Sequence, residues 1–339
     1  MPFGPGPVAR RPIDLTRVRG VAVGQAEADD GASGVTVVRF DTATPTVVDV
    51  RGGASATYDT ASLSVDATFG RRWALFFAGG SVFGLDAARG VRAEILAAEG
   101  GHRVFGNPNR VVPVSGAALF DLPRREAVLP DYERLGRIAT ARASRRPIAT
   151  GAVGAGAGAT VGKYLGRGRS MRGGVGSSGT TVRGGVAVGV LVVVNSVGAV
   201  RDPSTGEWVA GARGARGGVV APGGTYPRGA RSRGTTLAVV ATDASLDRPA
   251  LARIAAIVHA GLGRAIVPYQ TSSDGDVVFA ASTQLIRTPE DERGPGATAD
   301  RLGAVAADCA VAATLLATRR ANRGGSDRRA TRARRRPEK

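Results

Sequence analysis

Short runs rich in Val, Phe and Thr, each bounded by Gly or polar residues, recur along the chain: Val35–Phe40, Thr46–Val50, Trp73–Ala78, Val186–Val194, Thr236–Thr242 and Val277–Ala281. β-Branched and aromatic side chains fit a pleated, half-buried surface, so these runs predict strands. Val190–Val194 is apolar at every position, which predicts a central strand covered on both faces. A longer period governs three other segments. After Gly84, Val91, Ile95 and Ala98 share one helical face, and the pattern stops at Gly100-Gly101. Asp247 and Pro249 read as an N-cap with proline in the first turn, ahead of Leu251, Ile254, Ile257, Val258 and Leu262. Asp300 is placed to cap a last helix whose stripe is Leu302, Val305, Cys309, Ala313 and Leu316. Strands and helices mix without strict βαβ alternation, which favours an α+β layered sandwich over a doubly wound sheet.

Composition narrows the chemistry. The 339 residues suffice for a sizeable core, and 50 Gly is about twice the usual share of roughly 7%. The glycines concentrate in 134–201, a span without Asp or Glu, where close backbone approach is the expected reason. A lone Cys309 excludes an intrachain disulfide, and His102 and His259 are too few for a histidine-rich metal site. The start of the chain lacks the apolar core of a signal peptide, and no uncharged apolar run reaches the roughly 18 residues of a membrane span, so a cytoplasmic location with no membrane partner is expected. The net charge of +18 suggests nucleic acid, but its distribution argues otherwise. A net +8 sits on residues 318–339, a Gly/Ser/Arg segment expected to be a disordered tail beyond a single domain of residues 1–317. Nucleic acid is therefore not the expected main partner.

Phosphate-binding motifs fail on spacing. Gly162-Lys163 is preceded by Ala157 where a P-loop needs Gly, and is followed by Tyr164 where it needs Ser or Thr. Gly154–Ala159 partly matches a dinucleotide turn, but no acidic residue follows about twenty positions on. His259 lies within an amphipathic helical pattern as a structural histidine, and His102 follows a helix-ending Gly pair. With no histidine base in sight, a hydroxyl nucleophile has one remaining activator: its own α-amine, created by cutting the chain in front of it. Gly234-Thr235-Thr236 offers such a place, since a long Arg/Gly/Pro loop, 201–234, ends there and an apolar strand begins at once. A plain loop-to-strand junction explains the same residues.

The segment GTTLAVVATDA from Gly234 resembles the start of the small subunit in the L-aminopeptidase/D-esterase family, the DmpA-type relatives of the β-aminopeptidases. Further motifs agree in order: Val48–Gly53, Gly79–Asp86, Val111–Val114, Gly154–Lys163, Leu191–Asn195 and Asp274–Phe279. The resemblance spans about residues 12–318. It implies a four-layer αββα sandwich like that of the N-terminal-nucleophile hydrolases and the ornithine acetyltransferases. It also implies self-cleavage between Gly234 and Thr235, leaving a large subunit 1–234 and a small subunit 235–339 that stay associated, and a homo-oligomer of such protomers. Many relatives carry Asn where this chain has Gly234, and some have Gly.

By the same resemblance, Thr235 is the nucleophile and supplies its α-amine as base. Asn195 donates to the oxyanion, Asp276 holds the α-ammonium, and Asp274 stands where some relatives have Ser. The aromatic oxyanion helper of some members falls near Phe120, which cannot donate. The implied activity is hydrolysis of small aminoacyl amides, peptides or esters, with no cofactor and no metal. Acyl transfer on the same fold and a non-catalytic Arg-rich binding protein are the alternatives.

Overall fold

The nine principal strands run β1 (Val21–Glu27), β2 (Gly34–Val50), β3 (Ala56–Tyr58), β4 (Arg71–Ala78), β5 (Val114–Ala118), β6 (Gly174–Thr181), β7 (Ala187–Asn195), β8 (Thr235–Ala244) and β9 (Val277–Ile286). Four helices accompany them: α1 (Ala87–Glu99), α2 (Tyr132–Ala141), α3 (Arg248–Ala265) and α4 (Gly296–Asn322). This computed structural model describes residues 13–104, 106–123, 127–182, 184–215, 217–223, 233–287 and 296–323.

The hydrogen-bonded order is β6-β7-β8-β9-β2-β4-β5-β3, with β1 also on β2. The long β2 belongs to two sheet halves. Its last residues pair with β9, and its first pair with β1 and β4. Side chains alternate across each strand. In the β6–β9 half, Val188, Val190, Val192, Ala238, Val240 and Val278 pack against α3 and α4. In the other half, Val35, Val37, Ala74, Phe76 and Val114 pack against α1 and α2. The alternate residues of both halves, among them Leu191, Val193, Val239, Phe279, Leu75 and Phe77, share one inner core. Phe77 and Phe279 meet across it with ring centroids 6.0 Å apart. Four layers result, helices outside and two sheet halves within, as expected.

Val190–Val194 is buried throughout in β7, so its uninterrupted apolar pattern is covered on both faces. β4-α1-β5 and β8-α3-β9 are crossover units with parallel strands. α4 is long and apolar enough by composition to cross a bilayer, yet its Leu302, Ala306, Cys309, Ala310, Ala313 and Ala317 are buried in the helix-side core.

Several expectations are corrected. The two strands predicted at 35–40 and 46–50 are one strand, bulged in the middle. The last helix begins at Gly296, so Asp300 lies inside it and is not its cap. The same helix runs to Asn322, past the expected boundary at 317, because Arg319 pairs with Asp202 at 2.8 Å and the Asn322 amide donates to the Arg172 carbonyl at 2.9 Å. The expected flexible loop 201–234 contains the short paired strands Trp208–Ala210, Ala212–Arg213 and Val219–Val220. Residues 224–232 of that loop and 324–339 of the tail lie outside the described residues.

Candidate active site

β8 starts at Thr235, and the backbone around its first peptide is held on both sides. Thr235 stands opposite Asn195 across β7 and β8. Gly234 bridges to Asp274: its N–H donates to the Ser273 carbonyl at 3.0 Å, and its own carbonyl accepts from Gly275 N–H at 3.0 Å. Onto that same carbonyl oxygen Thr235 Oγ1 donates at 2.5 Å. Thr235 is 3% exposed, so its hydroxyl faces its own chain. A Cβ on residue 234 would lie 2.2 Å from Asp274 Oδ1 and 2.3 Å from Val197 N, so glycine is required there by close approach.

The two carboxylates sit on the turn into β9. Asp274 Oδ1 accepts from Val197 N–H at 3.0 Å, and Oδ2 from the Thr271 hydroxyl at 2.5 Å. Asp276 accepts from Thr236 N–H at 2.6 Å and Gln270 N–H at 2.9 Å. Burial raises Asp276 to about 7, and the neighbouring Asp274 charge pushes it the same way. The carboxyl therefore changes charge close to neutral pH.

Asn195 closes β7 and is wholly buried. Its Oδ1 accepts from Thr160 N–H at 3.0 Å and from Lys163 Nζ at 2.8 Å. That fixes the amide orientation and leaves Nδ2 to donate; the Phe120 carbonyl takes one of its two hydrogens at 3.2 Å. The Phe120 ring lies beneath the guanidinium carbons of Arg167 and Arg233, at 5.6 and 6.0 Å from its centroid.

In the sequence Lys163 figures only in a failed P-loop pattern and in one of the matching motifs, but the structure brings it into the site. The Gly162–Lys163 backbone donates to Gly198 and Val197 carbonyls, both at 2.9 Å, and Gly162 has φ +75°, which turns the chain inward. Lys163 is fully buried, with Nζ on the Asn195 backbone and side-chain oxygens. Burial lowers its ammonium to about 7, against the opposing pull of Asp274. The signal was present in composition: Lys163 and Lys339 are the chain's two lysines, and a buried Lys can shed its proton where Arg cannot. The preceding glycines serve close approach, as expected; a Cβ on Gly156 would lie 2.6 Å from Gly174 C.

All four sequence-predicted residues thus converge on the Gly234–Thr235 peptide: Thr235 at the bond, Asn195 opposite, Asp274 bridged to Gly234, and Asp276 on the next amide. The sequence also matches the profile of Peptidase family S58 over residues 14–329. The chain belongs to peptidase family S58. An uncharacterized aminopeptidase of Mycobacterium tuberculosis is 37% identical over 327 residues, covering 89% of this chain and 92% of that protein. A 6-aminohexanoate-oligomer endohydrolase of Kocuria sp. is 31% identical over 348 residues, covering 93% and 91%. The L-aminopeptidase D-Ala-esterase/amidase of Ochrobactrum anthropi superposes with a TM-score of 0.63 at 20% identity, over 90% of this chain and 85% of that one. That structure is described as a variant of the Ntn hydrolase fold, and the likeness shows the fold of this S58 chain. The S58 membership and the relatives make the protein a hydrolase of the aminopeptidase/amidase type.

Proposed function

We propose that this S58 hydrolase cuts its own chain between Gly234 and Thr235 and then uses Thr235 as an N-terminal nucleophile on small aminoacyl amides, peptides or esters. What supports the reading most is the hydroxyl of Thr235 lying 2.5 Å from the carbonyl oxygen of the bond to be cut, with Gly275 N–H on that oxygen at 3.0 Å. Attack by Oγ1 on the Gly234 carbonyl carbon builds negative charge on an oxygen that already has a fixed backbone donor. Collapse breaks the C–N bond as the departing nitrogen takes up the proton given up by the hydroxyl, so the acyl group passes from nitrogen to oxygen; water then hydrolyses the ester, leaving a Gly234 carboxylate and a free Thr235 amine.

An α-amine with an ordinary pKa of about 7.7–8.0 is a usable base near neutral pH, where a hydroxyl alone is far too weak an acid. Asp276, on the adjacent amide, and Asp274 hold the ammonium form that appears when the amine takes the hydroxyl proton. Asn195 supplies an amide hydrogen to the substrate oxyanion, its orientation fixed by Lys163. The two fragments remain together after the cut.

Intact-mass measurement of purified protein, paired with hydrolysis of aminoacyl nitroanilides, tests this. Fragments of 234 and 105 residues with turnover support it; a persistent 34.4 kDa chain that hydrolyses nothing refutes it.

A further inference from the structure

At the far end of the strands from Thr235 lies a cavity of about 850 Å³, lined largely by apolar groups. Leu246, just past the end of β8, belongs to its wall, and the strand end at Ala244 is about 30 Å from Thr235 at a strand rise of roughly 3.3 Å per residue. Its origin is the bulge in β2. Arg39 pairs with Ala74 and Thr44 with Arg72, so residues 40–43 stand opposite Trp73 alone. Pro45, next on β2, has no N–H to give to a ladder. Bulges of this kind re-aim side chains and end regular pairing. Here the opening is walled by Pro45, Phe69, Trp73, His102, Pro113 and Leu246. Trp73 and His102 lie edge to edge, with ring planes 20° apart, centroids 6.3 Å apart and Trp73 Nε1 donating to His102 Nδ1 at 3.0 Å.

Two guanidiniums complete the wall. Arg71 donates to the Ala43 carbonyl at 3.0 Å and to Gln284 Oε1 at 3.3 Å. Arg248 donates to the Ala67 and Ser64 carbonyls, and its buried Nε meets no acceptor among the described residues. The Arg248 guanidinium lies flat against Gly70, where an added Cβ would come within 2.3 Å of Nε. Neither guanidinium is in an ion pair among the described residues; Asp247, which also lines the cavity, spends its carboxylate on Ala250 N–H at 2.9 Å as the cap of α3.

We infer that this cavity is a second ligand site, separate from the hydrolytic centre, for an arylalkyl carboxylic acid whose ring lies among Trp73, His102 and Pro113 and whose carboxylate meets Arg71 and Arg248. An apolar pocket of this size with a few convergent polar groups is a common form of small-molecule site. A cationic ligand would be repelled by the two guanidiniums in the wall and a hydroxyl offers them only a neutral acceptor, whereas a carboxylate accepts charge-assisted bonds from them.

Calorimetric titration of the full chain with phenylpropionate, phenylpropanol and phenylpropylamine decides the matter. The acid saturates one site per chain, the alcohol binds about ten- to a hundredfold more weakly, and the amine more weakly again. Arg248→Met brings the acid down to the level of the alcohol without changing hydrolysis. Ala43→Leu, which fills the cavity from the β2 bulge, removes binding of all three. Absence of saturable acid binding to the unsubstituted chain, equal affinity for acid and amine, or acid binding that survives both substitutions overturns the assignment. Should Arg248→Met fail to fold, the three matched probes and Ala43→Leu still give the answer.

Discussion

Asn195 and Thr235 are Cα partners across β7 and β8, so the proposed oxyanion donor and nucleophile are set by the same ladder that builds the sheet. Replacing Asn195 with Ala removes a donor while keeping that ladder. Turnover on aminoacyl amides should fall about 10²–10³-fold with the fold retained, as for loss of one oxyanion donor. Undiminished turnover would place the donor elsewhere.

Thr235→Ala should leave one uncleaved chain without amidase activity, because the hydroxyl on the Gly234 carbonyl is gone. Thr235→Ser keeps the hydroxyl and should still split. Mass spectrometry reads both outcomes, and a Thr235→Ala protein that splits normally would refute the nucleophile.

Gly234 is walled in by Asp274 Oδ1 and Val197 N, at 2.2 and 2.3 Å from the position of an added Cβ. Gly234→Ala should therefore destabilise the fold by about 1–3 kcal/mol, as overpacking does, and slow the split. Unfolding in urea and the time course of fragment appearance check this; a variant that matches the parent in both shows that the junction yields.

Asp276 and Lys163 give stability an unusual pH profile. Asp276 titrates near 7 when folded against 3.8 as an ordinary carboxyl, so the folded state keeps a proton that the unfolded state has lost. Its contribution is greatest below about pH 4, declines as pH rises towards 7, and is flat above. Lys163 is lowered to about 7 from 10.5, so its contribution rises with pH across that interval. Urea unfolding of the uncleaved Thr235→Ala chain should show least stability near neutral pH from this pair. Asp276→Asn in that background should flatten the fall between about pH 4 and 7; an unaltered slope means another group carries it.

Truncation should separate the helix from the tail. Ending the chain after Ala317 cuts α4 and removes the Arg319–Asp202 pair and the Asn322 contacts, so thermal stability should drop. Ending it after Arg323 should spare stability and hydrolysis while reducing nonspecific DNA retention, an effect that added salt already weakens in the full chain. Loss of hydrolysis in the longer truncation, with the fold intact, would tie the tail to the active assembly.

Strands with dense β-branched runs were legible because their pattern is local: Trp73–Ala78, Val186–Val194 and Val277–Ala281 fall within β4, β7 and β9, with Val186 just outside. β6, GVGSSGTT, was not legible. Its Gly176 is needed where α4 crosses at the Ala313 carbonyl, so packing against a distant helix determines its composition. α2 shows only its start in the sequence, where Asp131 caps it by accepting from Arg134 N–H at 2.9 Å. His259, a structural histidine by its place in a helical pattern, is 1% exposed between Tyr269 and the Asp49 carbonyl. The residues that meet at the Gly234–Thr235 peptide were legible through several motifs in order, whereas for Lys163 composition marks only its rarity, and its contact with Asn195, thirty-two positions away, shows itself only in three dimensions.

The place of β8 and β9 in the sheet bears on what a cut at Gly234 would do to reversibility. Both strands follow the cut, yet they lie between β7 and β2, which precede it, and carry α3 and α4 on their outer side. A severed molecule would hold together through ladders on two flanks, so dilution alone would not part it. Once denatured, its two pieces would have to find each other again, and recovery would depend on protein concentration. Heat inactivation of the cut form would then be governed by the rate of unfolding, while the uncut chain could still refold on its own.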